Sequence, residues 1–331
     1  MPGEYRDIEI LRQGASAPVH RAFGWSVLAA MTAFLINNVL EVAYGFPSLA
    51  AIFGGASGAI VPALVYAVLI AGAIAYVLAS SSRTLRMDAQ SIHNFNIYLI
   101  RALFFSVFFV GVIDAAIALL RTENMLEPLF GQAAARNLGR ANWVGPWIHM
   151  PLIVVGFIVA LFTRTLGFTW LALLIVVAEL LIVISRFVFS YEQALMGDLV
   201  RYWYAALFLF ASAYTLFDEG HVRVDILYAA FSRRKKGTVN AIGTILLGMA
   251  TCWVILAICF NGSQSIVNAP VTNFEVSQAG PFGMYAKYQM AAFIALFAIT
   301  MMIEFVSYYL EAVADHRDEP GHRDIDSSAA H

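Results

Sequence analysis

Eight long apolar runs separated by short polar gaps dominate this chain, near residues 23–44, 59–79, 97–120, 147–163, 168–189, 200–217, 239–260 and 288–310. Each approaches the ~20 apolar residues that a helix needs to cross a bilayer core. The pattern therefore predicts an all-α integral membrane protein with about eight transmembrane helices. The fourth run is short and stops at Arg164, and the brief gap before the fifth predicts a tight helical hairpin. Asn37, Asn38 and Glu41 interrupt the second half of the first run. Residues 1–22 are polar, and no short apolar core with a small-residue cleavage site follows, so the first run is expected to remain as an anchor. The segment from Asp315 to His331 is short, charged and rich in Asp and Ser, and reads as a disordered tail.

Composition agrees with the pattern. The chain is 60% hydrophobic and only 13% charged, against about 25% charged in ordinary soluble domains. The net charge of −2 by itself says nothing about nucleic acid, but no broad basic surface is available to bind it, so no nucleic-acid partner is expected. Lys and Arg in the loops set orientation. With the N-terminus inside, thirteen fall on the cytoplasmic side and five (Arg121, Arg136, Arg140, Arg186, Lys287) opposite, so both termini are expected in the cytoplasm. The loop with Arg121, Arg136 and Arg140 dissents, and also carries Glu123 and Glu127. The cluster Arg233, Arg234, Lys235, Lys236 holds its loop inside, and its charge would attract anionic phospholipid headgroups. Cys252 and Cys259 lie seven residues apart in one run, about 10 Å along one helix face, too far for a disulfide.

Three weak matches relate the two halves. Ala75-Tyr76-Val77-Leu78 parallels Ala213-Tyr214-Thr215-Leu216, Arg86-Met87-Asp88 parallels Arg223-Val224-Asp225, and Gly145-Pro146-Trp147 parallels Gly280-Pro281-Phe282, at shifts of 138, 137 and 135 residues. They suggest two parallel four-helix units, 23–166 and 167–312, flanked by 1–22 and the tail 313–331.

Ionisable groups inside a bilayer are costly and mark function or contact. Glu179 sits midway along the fifth run and Glu304 about two turns from the end of the eighth. Asp114 and Arg101 lie nearer the ends of the third run, where side chains snorkel. For Glu179 three readings stand: a proton or cation site, a polar contact with a neighbouring helix or partner subunit, or a neutral acid. The seven histidines read as lying in loops, tails or span edges, which argues against membrane haem. No zinc-type Cys/His spacing, nucleophile–base pair or phosphate-binding glycine loop occurs. No enzyme, cofactor or metal site is expected. The internal prolines, Pro62 and Pro151, read as lying near helix starts, and no pair of interrupted runs marks a midplane ion site.

The polar gap after the sixth run holds Glu219-Gly220-His221-Val222-Arg223-Val224-Asp225-Ile226. With Arg186-Phe187, Asp198, Ala213-Tyr214-Thr215-Leu216 and the basic loop, this string makes residues 170–312 resemble the DctQ-like small membrane subunit of tripartite ATP-independent periplasmic (TRAP) transporters. Ser265, Glu275, Ser277 and Lys287 look like one branch of that family. The chain departs from the family in lacking a Trp and a second acid before the second core helix, and in carrying four extra runs at its N-terminal end. The resemblance implies a bacterial inner-membrane scaffold subunit. Its implied partners are a large permease, which would hold the substrate and the coupling sodium, and a periplasmic binding protein, toward which the loops 121–146 and 261–287 would face. The solute implied is an organic acid or similar small molecule. Gly220 can end the sixth helix in a left-handed turn, and Arg223 and Asp225 can pair with each other, lipid headgroups or a partner. Gly220, His221, Arg223 and Asp225, with Arg186 and Asp198 placed for an ion pair, are therefore expected to serve structure and partner or lipid docking, direct substrate contact being the alternative. A self-sufficient carrier or channel and a membrane anchor for another complex remain the rival readings.

Overall fold

The structure is a computed structural model that describes residues 8–165, 167–217, 226–277 and 279–322. Among the described residues the regular structure is all helical, and eight helices are long and apolar enough to cross a membrane. They are α1 (Pro18–Tyr44), α2 (Ser57–Ala79), α3 (Leu85–Thr122), α4 (Ala141–Phe162), α5 (Phe168–Phe189), α6 (Ala194–Phe217), α7 (Arg233–Cys259) and α8 (Lys287–His316). Local chemistry sets several ends. Pro18 opens α1, where its missing N–H costs nothing, and Gly45 closes it in a left-handed conformation (φ 71°) with its N–H on the Glu41 carbonyl.

All eight apolar runs are helices, but several extend well past their apolar stretch. α3 starts twelve residues before the expected position 97, because Leu85–Asn96 is polar in sequence yet helical and largely buried. At about 57 Å, α3 is far longer than a ~30 Å hydrocarbon core. α8 likewise runs on to His316, and described structure continues to His322. That corrects the expectation of disorder from Asp315 onward: residues 315–322 are held by the contacts described below, and 323–331 lie outside the described residues.

α4 starts at Ala141, six residues early, so Pro146 and Pro151 both lie within the span. Pro151 is therefore not near a helix start. Gly145–His149 winds as π-helix, the widened turn that accommodates a disturbed hydrogen-bond ladder where proline withholds a donor. A second π-helical turn, Thr244–Met249, interrupts α7 without a proline. Both spans nevertheless remain continuous helices.

The chain gathers into two compact units. The first comprises Met1–Asn96, Ala213–Ser263 and Ala298–His331, and the second Ile97–Ser212 and Gln264–Phe297. Each draws on both halves of the sequence, and α3, α6 and α8 each contribute one part to either unit. In the first unit Leu85, Val306 and Leu310 are fully buried, and Gly237 of α7 lies against the backbone of Ala312 and His316, leaving no room for a methyl group. In the second, Ile100, Val110 and Phe210 form the core. Gly156 lets α4 approach the backbone of Ser106 on α3. Such small residues allow the close helix approach on which packing in lipid depends.

Candidate functional site

Several buried ionisable residues of the first unit converge in three layers along α3. At its start Asp88, fully buried, accepts hydrogen bonds from Arg21 Nε (2.6 Å), Arg83 Nε (2.6 Å) and Trp25 Nε1 (2.9 Å). Arg21 is also fully buried, and its two terminal nitrogens donate to the carbonyl and hydroxyl oxygens of Ser80. Sequence reasoning used Arg21 and Arg83 only as topological charges.

Two residues earlier, Arg86 points to other partners. It pairs with Glu311 and, at 2.7 Å, with Asp315 of α8, and donates to the carbonyls of Pro320 (2.7 Å) and Glu319 (3.1 Å). Arg233 of α7 joins the same acid, with Nη2 3.4 Å from Asp315 Oδ1. Farther along α3, His93 Nδ1 shares a 2.9 Å hydrogen bond with Glu304 Oε1, and Asn96 donates to Glu304 Oε2 at the same distance. The His93 ring stacks on Phe217, centroids 3.3 Å apart. Glu304 is thus a buried acid with two donors.

The second unit has its own buried polar chain. Asp114, fully buried, accepts the Tyr285 backbone N–H at 2.7 Å. His149 Nε2 lies 3.3 Å from the other Asp114 oxygen, near enough for electrostatic attraction but off hydrogen-bonding geometry. His149 Nδ1 shares a hydrogen bond with the Tyr288 hydroxyl (2.9 Å), which accepts from Gln289, and Gln289 in turn accepts from Tyr202. The π-helical turn of α4 delivers His149 to this position. Asp114 therefore does not snorkel, and His93 and His149 are not at loops or span edges. Both histidines are buried because their carboxylate partners lie on other helices, which no local window reveals. Arg101 lies mid-way along α3, not near its end, and its side chain donates to the Thr163 carbonyl at the close of α4. Arg121 is drawn into the fold: it donates to the Gly283 carbonyl and lies 3.9 Å over the Tyr285 ring.

Replacing Asp114 by alanine would strand the Tyr285 N–H and remove the His149 partner. The expected cost is about 1–3 kcal/mol, the penalty for a buried unsatisfied polar group. Urea titration of the detergent-solubilised chain would measure it, and a loss below a few tenths would contradict the geometry.

Of the residues picked from sequence, Gly220, His221, Arg223 and Asp225 lie outside the described residues. Arg186 and Asp198 do not pair. Arg186 Nε faces Glu192 Oε2 at 3.4 Å, with both side chains exposed. Asp198 instead accepts the Met284 N–H (3.1 Å) and the Ser277 hydroxyl (3.1 Å), pinning the segment before α8. The residues that suggested a family branch are structural here: Ser265 accepts the Asn268 N–H, and Lys287 pairs with Glu275. The basic cluster is divided. Arg233 is committed to Asp315, Arg234 donates to the His316 carbonyl (3.1 Å), and Lys236 lies 5.2 Å over the Tyr228 ring. Lys235 is exposed. Glu179 is exposed on α5 and touches no polar partner among the described residues, whereas Glu304 is buried and paired. Cys252 and Cys259 are buried free thiols.

Comparison with known proteins places the C-terminal part. Residues 173–311 match the family model of tripartite ATP-independent periplasmic transporters, DctQ component. This region contains most of α5 and all of α6 and α7, with α8 up to Glu311. No curated protein and no solved structure matched the chain.

Proposed function

We propose, from the DctQ-component region at residues 173–311, that this chain is the small membrane scaffold subunit of a TRAP-type secondary transporter. It packs on a large permease that imports an organic acid or similar small solute delivered by a periplasmic binding protein. The permease carries the substrate and the coupling sodium. The chain lies in a bacterial inner membrane with both termini in the cytoplasm, where the exposed members of the 233–236 cluster face anionic phospholipid.

The family match carries this reading, and the disposition of charge supports it. In the first unit Asp88, Arg86 and Glu304 each have fixed partners on other helices. Such groups brace helices against one another, which suits a static support. The segment 264–286 is tied down by Asp198, Asp114 and Arg121, so it presents a firm surface to a soluble partner. Deleting 264–280 would remove the Ser277 contact with Asp198 along with any docking surface. Single substitutions at exposed positions such as Ile266 and Phe282 separate the two effects.

Purification of the tagged chain from native membranes, with mass spectrometry of what accompanies it, tests the proposal. A large permease of the same transport class in stoichiometric amount is the expected result. A chain that runs alone and moves solute into liposomes unaided would refute it in favour of an autonomous carrier.

A further inference from the structure

Glu179 breaks a rule that the buried span acids Asp88, Asp114 and Glu304 obey. It is the twelfth of the 22 residues of α5, about 16 Å from either end, beyond what its short side chain can bridge by snorkelling. Intramembrane carboxylates normally face a bundle interior and meet a partner. The chain shows what that requires: Glu304, also within a span, is buried and held by His93 and Asn96. Glu179 is exposed and has neither a donor nor a cation beside it among the described residues. Its neighbours one turn away on the same flank, Val176 and Val183, are exposed as well, and α5 is the least buried of the eight spans.

We infer that the Glu179 flank of α5 is the surface on which the large permease docks, with a permease transmembrane helix setting a hydrogen-bond donor against the Glu179 carboxylate. The inference rests on the scaffold reading above and specifies its contact. Carboxyl oxygens accept hydrogen bonds, so the complementary helix presents Arg, Lys, His, Asn, Gln, Ser or Thr at that depth, with apolar side chains packing on Val176 and Val183. Glu179 also lies inside the region matched to a component of a multi-part transporter.

A photo-crosslinking residue placed at Val176 or Val183 in the tagged full-length chain, in native membranes, tests this directly, because Glu179 itself is untouched. The expected product is a covalent adduct with the large permease. In parallel, Glu179→Leu should lower permease co-purification about tenfold, the scale of one interhelical polar contact in lipid. Glu179→Gln should retain most of it, and both variants should keep the parent's size-exclusion profile. Should the parent chain bring down the permease while α5 crosslinks only to lipid or to a second copy of itself, the docking surface is wrong and the scaffold reading survives. Full permease recovery with Glu179→Leu would likewise overturn the contact. If the parent chain captures no permease, the scaffold reading falls and this inference with it.

Discussion

Replacing Asp88 by alanine is expected to destabilise the first unit by about 3–5 kcal/mol, the cost of breaking a buried ion pair from one side. Neither Asp88 nor Arg21 has any exposed side-chain surface. Without the carboxylate, the Arg21 guanidinium keeps its Ser80 contacts but loses its counter-charge, and Trp25 Nε1 loses its acceptor. Arg83, more exposed, can turn to solvent, so its share of the loss is small. The double variant Arg21→Met with Asp88→Leu should be less damaged than Asp88→Ala, because it leaves no uncompensated charge. Denaturant unfolding of the three proteins in one detergent measures this. A loss under about 1 kcal/mol for Asp88→Ala would mean that the pair does not form.

Arg86→Ala should have an effect of similar size, again about 3–5 kcal/mol, with a local signature as well. The Arg86 side chain is 2% exposed and gathers Glu311, Asp315 and two carbonyls beyond the end of α8. Its removal leaves two acids one helical turn apart, with Arg233 and His322 still near Asp315, and like charges at that spacing repel. The segment after His316 should then loosen first. Limited trypsin digestion at Arg317, followed over time, should cut the variant much faster than the parent, and amide exchange over 317–322 should rise. Glu311→Gln should do much less, since Arg86 keeps Asp315 and the carbonyls. Equal sensitivity of both variants would argue that Arg86 acts only as a general charge.

The Arg86-Met87-Asp88 string resembles Arg223-Val224-Asp225 in sequence. In the structure its two charged residues part company, the arginine reaching α8 and Asp88 reaching α1. The later string lies outside the described residues, so the comparison stands on the first copy. It shows that an Arg-x-Asp triplet at the start of a helix can fasten two different helices at once, since residues two apart on a helix point to different sides.

Span positions were legible because each apolar run is long enough to be unmistakable. Their true ends were not legible where a helix continues through polar residues, as at Leu85–Asn96, because hydropathy marks apolar runs and much of this polar stretch is buried by protein instead. Glu179 and Glu304 were read alike, as acids within spans. The difference between them, one exposed and one clasped by His93 and Asn96, lies in which helix stands opposite. The expected Arg186 contact with Asp198 failed for the same reason: the backbone of Met284 and the hydroxyl of Ser277 reach Asp198 first.

What the sequence by itself determined was the class of molecule, its eight spans and its likeness to a transporter component, since these depend on local runs of apolar residues and on a short contiguous string. What only the tertiary structure decided was the partnership of each buried charge and the placing of the two interior histidines. Arg21 finds Asp88 across 67 residues, His93 finds Glu304 across 211 and Arg86 finds Glu311 across 225. A carboxylate in a low-dielectric interior is stable only beside a donor or a cation, and when the donor comes from a helix hundreds of residues away, packing alone settles which one it is.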